Sequence, residues 1–341
     1  MKVKKEREVI MSSKKIMKKS LLLLGIMAIM MFAMSITSMA SGEVIQTGET
    51  GTSVTIKWNA TGNEAATEYH IYVGEDYSST SSATPIVVPI TQTSYTIPNL
   101  TAGKEYYVLV KYQYKSSYSD STYESSVGST YVYTKIKAVS GLNQERWYYY
   151  IQSVDVKWDK VEGAYYDWVI KDNKNKKVAS KSKTTSNSAS SSVKNSKIYT
   201  VQVRQYFIAN PGTSNEYKIY SGSSAKNSWS KPAYLFTQPM VKENKIKQKA
   251  GSLYVSWNKI SGATSYTVYI STKEKKGYKK AGTVKSSKNS LTIKKYGSKK
   301  IAKGKKYYVY VVANKKVGKK TYTSGRLYTV DTKTKSLHWS F

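Results

Sequence analysis

Three stretches of this chain spell the same short sentence: Ser53-Val54-Thr55-Ile56-Lys57-Trp58, Ser153-Val154-Asp155-Val156-Lys157-Trp158 and Ser252-Leu253-Tyr254-Val255-Ser256-Trp257. The tryptophans stand 100 and 99 residues apart. A spacing near one hundred is too long for a solenoid repeat and suits whole domains joined in series. Within each stretch apolar and polar residues alternate with period two, as a strand with one buried face requires. A second strand follows each tryptophan, at Tyr69 to Val73, Tyr166 to Ile170 and Tyr266 to Ile270. Each copy closes on a tyrosine-rich strand ending in threonine, at Thr134, Thr237 and Thr332.

Composition agrees with strands. The 341 residues include 32 tyrosines and only 4 phenylalanines, and Tyr, Val, Thr and Ile fit a pleated, half-buried surface. With no cysteine there is neither a disulfide framework nor a thiolate nucleophile or ligand, so packing alone must hold each domain. Two histidines, His70 and His338, leave little for a catalytic triad or a multi-histidine metal site. By alternation His70 points outward.

A further shared pattern carries a resemblance. Leu100-Thr101-Ala102-Gly103-Lys104-Glu105-Tyr106 and Ile301-Ala302-Lys303-Gly304-Lys305-Lys306-Tyr307 both run into a Tyr/Val-rich strand. The middle copy keeps only Val193, Ser196 and Tyr199 of that frame. With the early-strand tryptophans, this resembles tandem fibronectin type III domains over residues 43 to 335, a family in which the Gly-x-x-Tyr stretch forms a corner. The resemblance implies an all-β fold of three immunoglobulin-like (fibronectin type III-like) β-sandwiches. It places Trp58, Trp158 and Trp257 in cores, and Tyr106, Tyr199 and Tyr307 at corners with their hydroxyls bonded to backbone. Ser228-Trp229-Ser230-Lys231-Pro232 resembles the start of a last strand in this family. The expected domains are 41–135, 136–238 and 239–335, with a frayed tail at 336–341. Ala179 to Ser192, nearly all Ser, Lys and Thr, reads as a long, disorder-prone loop.

The first forty residues read as an address. Lys14, Lys15, Lys18 and Lys19 precede an apolar run from Leu21 to Met34, and Ser38-Met39-Ala40 resembles a signal-peptidase site. The run is short of the ~20 residues that span a bilayer, so cleavage after Ala40 and a secreted, extracellular protein, retained at the cell surface or free, is the expectation.

Charge is unevenly shared. The signal segment carries 8 basic and 2 acidic residues, the first domain 5 and 9, the second 16 and 7, the third 26 and 3. A chain at +34 with its excess in the last two domains suggests a polyanion partner there, the alternative being a merely solvated face of lysine-rich composition. The candidate polyanion-binding residues are Lys275, Lys276, Lys279 and Lys280, then Lys299, Lys300, Lys305 and Lys306, then Lys315, Lys316, Lys319 and Lys320. Only four arginines are present, and lysine acts as a point charge without arginine's base-reading fork, so sequence-specific nucleic-acid recognition is not expected. The partners that fit are an anionic cell-surface polymer or wall component, or another extracellular protein.

The run Arg146-Trp147-Tyr148-Tyr149-Tyr150-Ile151, with Tyr165 and Trp168, is a possible aromatic surface, although alternation turns half of it inward. Glu64, Glu68, Glu75 and Asp76 read as solvated loop acids rather than a calcium or acid–base site. No catalytic, cofactor-binding or metal-binding residue is expected. Two function classes remain: a non-catalytic binding or adhesion protein, and a structural spacer serving a separately encoded enzyme or receptor.

Overall fold

The computed structural model describes residues 43–339, so the expected signal segment lies outside the described residues. Among the described residues no helix is long and apolar enough to cross a membrane.

Strands dominate the described residues and pair in antiparallel ladders. In the first copy, β1 (Val44–Glu49), β2 (Val54–Trp58) and β5 (Ser94–Ile97) form one sheet in the order β1-β2-β5. The facing sheet has β3 (Ala66–Gly74), β4 (Ile86–Pro89), β6 (Glu105–Lys115) and β7 (Thr122–Tyr133) in the order β4-β3-β6-β7. A single helical turn, α1 (Tyr77–Ser81), is capped by Asp76, whose carboxylate accepts the Ser79 amide at 2.7 Å. Inward residues of the two sheets, among them Val54, Ile56, Ile71, Val108 and Val110, close a common core.

The second copy repeats the plan. Its three-stranded sheet is β8 (Asn143–Tyr148), β9 (Ser153–Lys157) and β12 (Ser188–Ser192). The other contains β10 (Tyr165–Asp172), β11 (Lys177–Thr184), β13 (Ile198–Ala209), β14 (Tyr217–Tyr220) and β15 (Ala233–Phe236). In the third, β16 (Lys247–Lys249), β17 (Ser252–Ser256) and β20 (Ser290–Ile293) face a sheet ordered β19-β18-β23-β25-β26, with β24 on β23. These are β18 (Ser265–Ser271), β19 (Lys279–Lys285), β23 (Tyr308–Val317), β24 (Lys320–Thr323), β25 (Tyr328–Asp331) and β26 (Leu337–Trp339). A short ladder joins β21 (Lys295–Tyr296) to β22 (Lys299–Lys300).

Each core is keyed by the repeated tryptophan, and Trp58, Trp158 and Trp257 are all buried. Each packs across the two sheets against the tyrosine that opens the next strand pattern: Tyr69 at 5.4 Å, Tyr166 at 5.5 Å and Tyr266 at 5.5 Å between ring centroids. These tyrosines accept a backbone amide through their hydroxyls, from Thr61 (2.8 Å), Val161 (2.8 Å) and Ile260 (2.7 Å), so the buried polar end is satisfied. The corners are present as well. Tyr106 Oη accepts the Thr101 amide at 2.8 Å, Tyr307 Oη accepts that of Ala302 at 3.2 Å, and Tyr199 Oη donates to the Lys194 carbonyl at 2.9 Å. Gly103 and Gly304 take φ of 76° and 72°, and Ser196 holds the same left-handed conformation at 63° without glycine's freedom.

Two expectations need correction. Residues 179–192 are not a long loop, since β11 pairs with β10 and β12 pairs with β9 across this segment. Serine and lysine contribute little strand propensity, but pairing supplies what composition lacks: Thr184 and Ala189 turn inward and Ser153 Oγ donates to the Ser191 carbonyl at 3.2 Å. Nor does the chain fray after Ser336. Leu337–Trp339 adds β26 to β25, and Trp339 packs on Tyr328 at 5.9 Å.

By contact the chain divides into two compact units. Of the described residues, the first comprises those up to Thr101, with Glu105–Thr134 and Ala209–Tyr217; the second comprises Ala102–Lys104, Lys135–Ile208 and those from Lys218 onward. Within the second unit, backbone bonds tie the second and third copies: the Ile198 amide donates to Ser261 O at 3.0 Å and the Ser261 amide to Ser196 O at 2.8 Å.

Candidate binding surfaces

The third copy concentrates its charge where strands end. Antiparallel pairing sets Ile270 opposite Lys279 and Val309 at one end of β18, and Ser265 opposite Lys285 and Asn314 at the other. Lys275, Lys276, Lys279 and Lys280 therefore stand at the first end, with Lys305 and Lys306, which lead into β23 beside Tyr308. The β21–β22 ladder joins them: Tyr296 Oη donates to the Gly277 carbonyl at 2.9 Å, and the Lys279 ammonium lies 5.5 Å from the Tyr296 ring centre. Lys299 and Lys300 belong to this end. Lys315, Lys316, Lys319 and Lys320 lie on the β23–β24 hairpin, at the opposite end, where the Lys316 amide donates to Thr264 Oγ1 at 3.0 Å. The twelve lysines singled out from sequence thus fall into a group of eight and a group of four. Eleven are exposed, and Lys315 is half-buried.

One of the eight is already engaged. Lys306 Nζ sits 3.0 Å from Oδ2 of the buried Asp331, so this exposed lysine is already paired with a carboxylate of its own domain. Burial pushes the Asp331 carboxyl up, but the Lys333 amide, Lys306 and Thr334 outweigh it and hold it below the usual range. Glu274 lies 3.2 Å from His338 Nδ1. Lys295 and Lys300 face each other directly across the β21–β22 ladder, as do Tyr296 and Lys299. Like charges so placed repel.

The aromatic run of the second copy divides. Trp147 turns inward, and its indole Nε1 donates to Asn195 Oδ1 at 3.2 Å. Tyr148 ends β8 opposite Ser153. Tyr149 packs edge-on against Trp147 at 5.7 Å, and Trp339 lies 6.5 Å from Tyr149 and 5.9 Å from Tyr150. Of the four aromatic residues Tyr150 is the most exposed, at 76%, whereas Trp147 is buried and Tyr148 and Tyr149 are half-buried. Trp168 is buried, and Tyr165 stacks on Tyr206 at 6.0 Å.

Two charged constellations were not visible in the sequence. On the outer face of the first copy, His70 is 7% exposed, with Nδ1 2.5 Å from Glu124 Oε1 and Nε2 3.1 Å from Glu68 Oε1. Alternation gave its face correctly, but neighbours cover it. Tyr72 Oη and Lys111 Nζ also donate to Glu124, at 2.5 and 2.9 Å. Partial burial raises the Glu124 carboxyl, yet these bonds outweigh it and bring it down to about 2, while burial and Glu124 push Tyr72 up to about 12. Glu68 therefore belongs to a packed ion cluster rather than to a solvated loop. In the second copy, Arg204 bonds Asp167 through Nε (2.9 Å) and Nη2 (2.8 Å) and lies 4.7 and 5.4 Å from the Trp229 and Tyr220 ring centres. The Lys183 amide and Tyr206 hydroxyl complete the buried Asp167, at 2.9 and 3.2 Å. Arg204 also donates through Nη1 to the Ala225 carbonyl at 3.0 Å, so both charged groups find their partners within the fold, which is the signature of a structural anchor. Among the described residues no group of three or more His, Cys, Asp or Glu side chains is arranged to hold a metal ion.

Comparison with known proteins bears on the fold. Residues 41–127 match the family model of the fibronectin type III domain. The structure of the chicken CNTN1 FN1-FN3 domains is 12% identical, covering 85% of this chain and 97% of that one at a TM-score of 0.28. A two-domain fibronectin type III segment of chicken tenascin is 13% identical, covering 57% and 95% at a TM-score of 0.27. None of the curated proteins compared matches the chain. Over residues 41–127 the first sandwich is thus similar to the fibronectin type III domain, and the second and third repeat its paired sheets, its core tryptophan and its corner tyrosine.

Proposed function

We infer that the chain is a non-catalytic binding protein that works outside the cell, and that its third domain holds an anionic polymer or surface through the lysines at the Lys275–Lys306 end. The observation that carries this reading is the β21–β22 ladder, where Lys295 and Lys300 oppose each other beside Lys299 in a domain with 26 basic and 3 acidic residues. Two of those acids, Asp331 and Glu274, already have basic partners within the domain. A fold that sets lysines against one another leaves repulsion that bound anions relieve. The lysine-flanked apolar run ending at Ser38-Met39-Ala40 supports export.

The test is binding of the full chain to heparin and to phosphatidylglycerol vesicles across a salt series. The variant K275Q/K276Q/K295Q/K299Q/K300Q should bind at least about tenfold more weakly, with a shallower salt dependence. Equal binding by the variant, or none by the parent chain, overturns the reading. The Lys315–Lys320 hairpin at the other end favours a second reading, a spacer with incidental charge, which predicts no salt-dependent binding to either probe.

A further inference from the structure

The lysines of the third domain form more than two separate groups. We propose that they make one continuous cationic track for a linear polyanion longer than about 30 Å, running from the Lys275–Lys306 end along β19 to the β23–β24 hairpin. This rests on the anionic-polymer reading above and extends it from one end of the domain to its whole edge.

The two ends are joined by an edge strand. Among the described residues β19 pairs only with β18, and it carries Lys279 and Lys280 at one end and Lys285 at the other, all exposed. At the second end Thr264 gathers three segments. Its carbonyl accepts the Ser286 amide at 3.1 Å, its amide donates to Asn314 O at 2.8 Å, and its hydroxyl accepts the Lys316 amide at 3.0 Å. Lys285, which ends β19, and Lys288, in the turn after it, are thereby brought beside Lys315 and Lys316. The turn is itself fixed by the Lys288 amide donating to Lys285 O at 3.0 Å. At the first end, Tyr296 ties the β21–β22 ladder to the 273–278 loop through its bond to Gly277 O and its ring beneath Lys279. Both groups are thus held on backbone that hydrogen bonds fix, not on free loops.

The span sets the ligand class. β23 runs the length of the domain in 10 residues, which at a strand rise of about 3.3 Å is roughly 30 Å. A small anion or a single headgroup meets one or two exposed lysines, each contributing little in water. A polymer that reaches both groups gains the second contact at high effective concentration, so affinity rises steeply once its length passes the span. Lysine, as a hydrated point charge, suits such summed attraction better than it suits recognition of one shaped group.

The experiment uses the full chain and two series of linear polyanions graded from well below to well above 30 Å: inorganic polyphosphates and heparin oligosaccharides, titrated by fluorescence anisotropy at fixed salt. A rise in affinity of about a hundredfold or more across that length in either series supports the track, and which series shows it separates phosphate from sulfate as the source. The variant K285Q/K288Q/K315Q/K316Q, changed only at exposed or half-buried side chains, should lose most of that gain. It should leave short-fragment affinity unchanged and reduce the salt slope by up to about four. Affinity that levels off well below 30 Å, or a variant that loses nothing on long fragments, overturns the track while the contact at the Lys275–Lys306 end stands. Absence of binding at every length overturns both.

Discussion

Replacing Ser196 with glycine should stabilise the second compact unit. Ser196 stands where the first and third copies have Gly103 and Gly304, and it holds φ of 63° against their 76° and 72°. A left-handed conformation costs an ordinary L-residue about 1–2 kcal/mol. Glycine removes that strain but gives the unfolded chain extra freedom, returning about 0.5–1 kcal/mol, so the net gain is about 0.5–1 kcal/mol. The bond at this position is to the Ser196 carbonyl, from the Ser261 amide at 2.8 Å, and survives the substitution. The reciprocal change is available in the same molecule: at Gly304 an added Cβ meets nothing within 4 Å, so Gly304→Ser tests the backbone conformation free of steric clash. In a unit of this size a shift of 1 kcal/mol moves Tm by roughly 2–4 °C. Differential scanning calorimetry of Ser196→Gly, Gly304→Ser and the double variant should show a rise, a fall of similar size and near cancellation. If Ser196→Gly lowers Tm while Gly304→Ser leaves it unchanged, the attribution to backbone conformation is wrong.

Glu124 gives the first domain an acid-sensitive contribution. Its folded value of about 2 lies below the ordinary 4.5, so the stabilisation is complete above about pH 4.5 and is lost as pH falls towards 2. The full shift corresponds to about 3 kcal/mol, which partial exposure of the carboxylate reduces to about 1–2 kcal/mol. Urea denaturation between pH 2 and 6, the interval bracketing both values, should show this slope in the parent chain and a flatter one in Glu124→Gln; identical slopes would contradict it. Removing a corner hydroxyl, as Tyr106→Phe or Tyr307→Phe, should cost about 1 kcal/mol by orphaning the Thr101 or Ala302 amide, read as a lower urea midpoint with unchanged m-value.

What the sequence conveyed and what it hid follow from the range of the interactions. Trp58, Trp158 and Trp257 were readable because period-two alternation is local and was written three times. Their tyrosine partners lie only 8 to 11 positions further on, yet nothing local marks Tyr69, Tyr166 and Tyr266 as ring partners across two sheets. His70 showed its face but not its cover, because Glu124 reaches it from 54 residues away. The lysines announced themselves by number. Their division between two ends, and the inclusion of Lys285 and Lys288, depended on strand register. β11 and β12 were missed because Ser-Lys-Thr composition weighs against strands, whereas partners on β10 and β9 decide for them.

β11 bears on solubility as well. It is the outer strand of its sheet, with one row of backbone amides and carbonyls open to any other extended chain. Lys177, Lys181 and Lys183 along its length make that row repel itself, so two copies of this molecule cannot readily zip together edge to edge. In a protein whose regular structure is nearly all strand and which has no cysteine for a disulfide, such gatekeepers guard against amyloid-like association; neutralising these three lysines should leave the fold intact and show first as turbidity on storage.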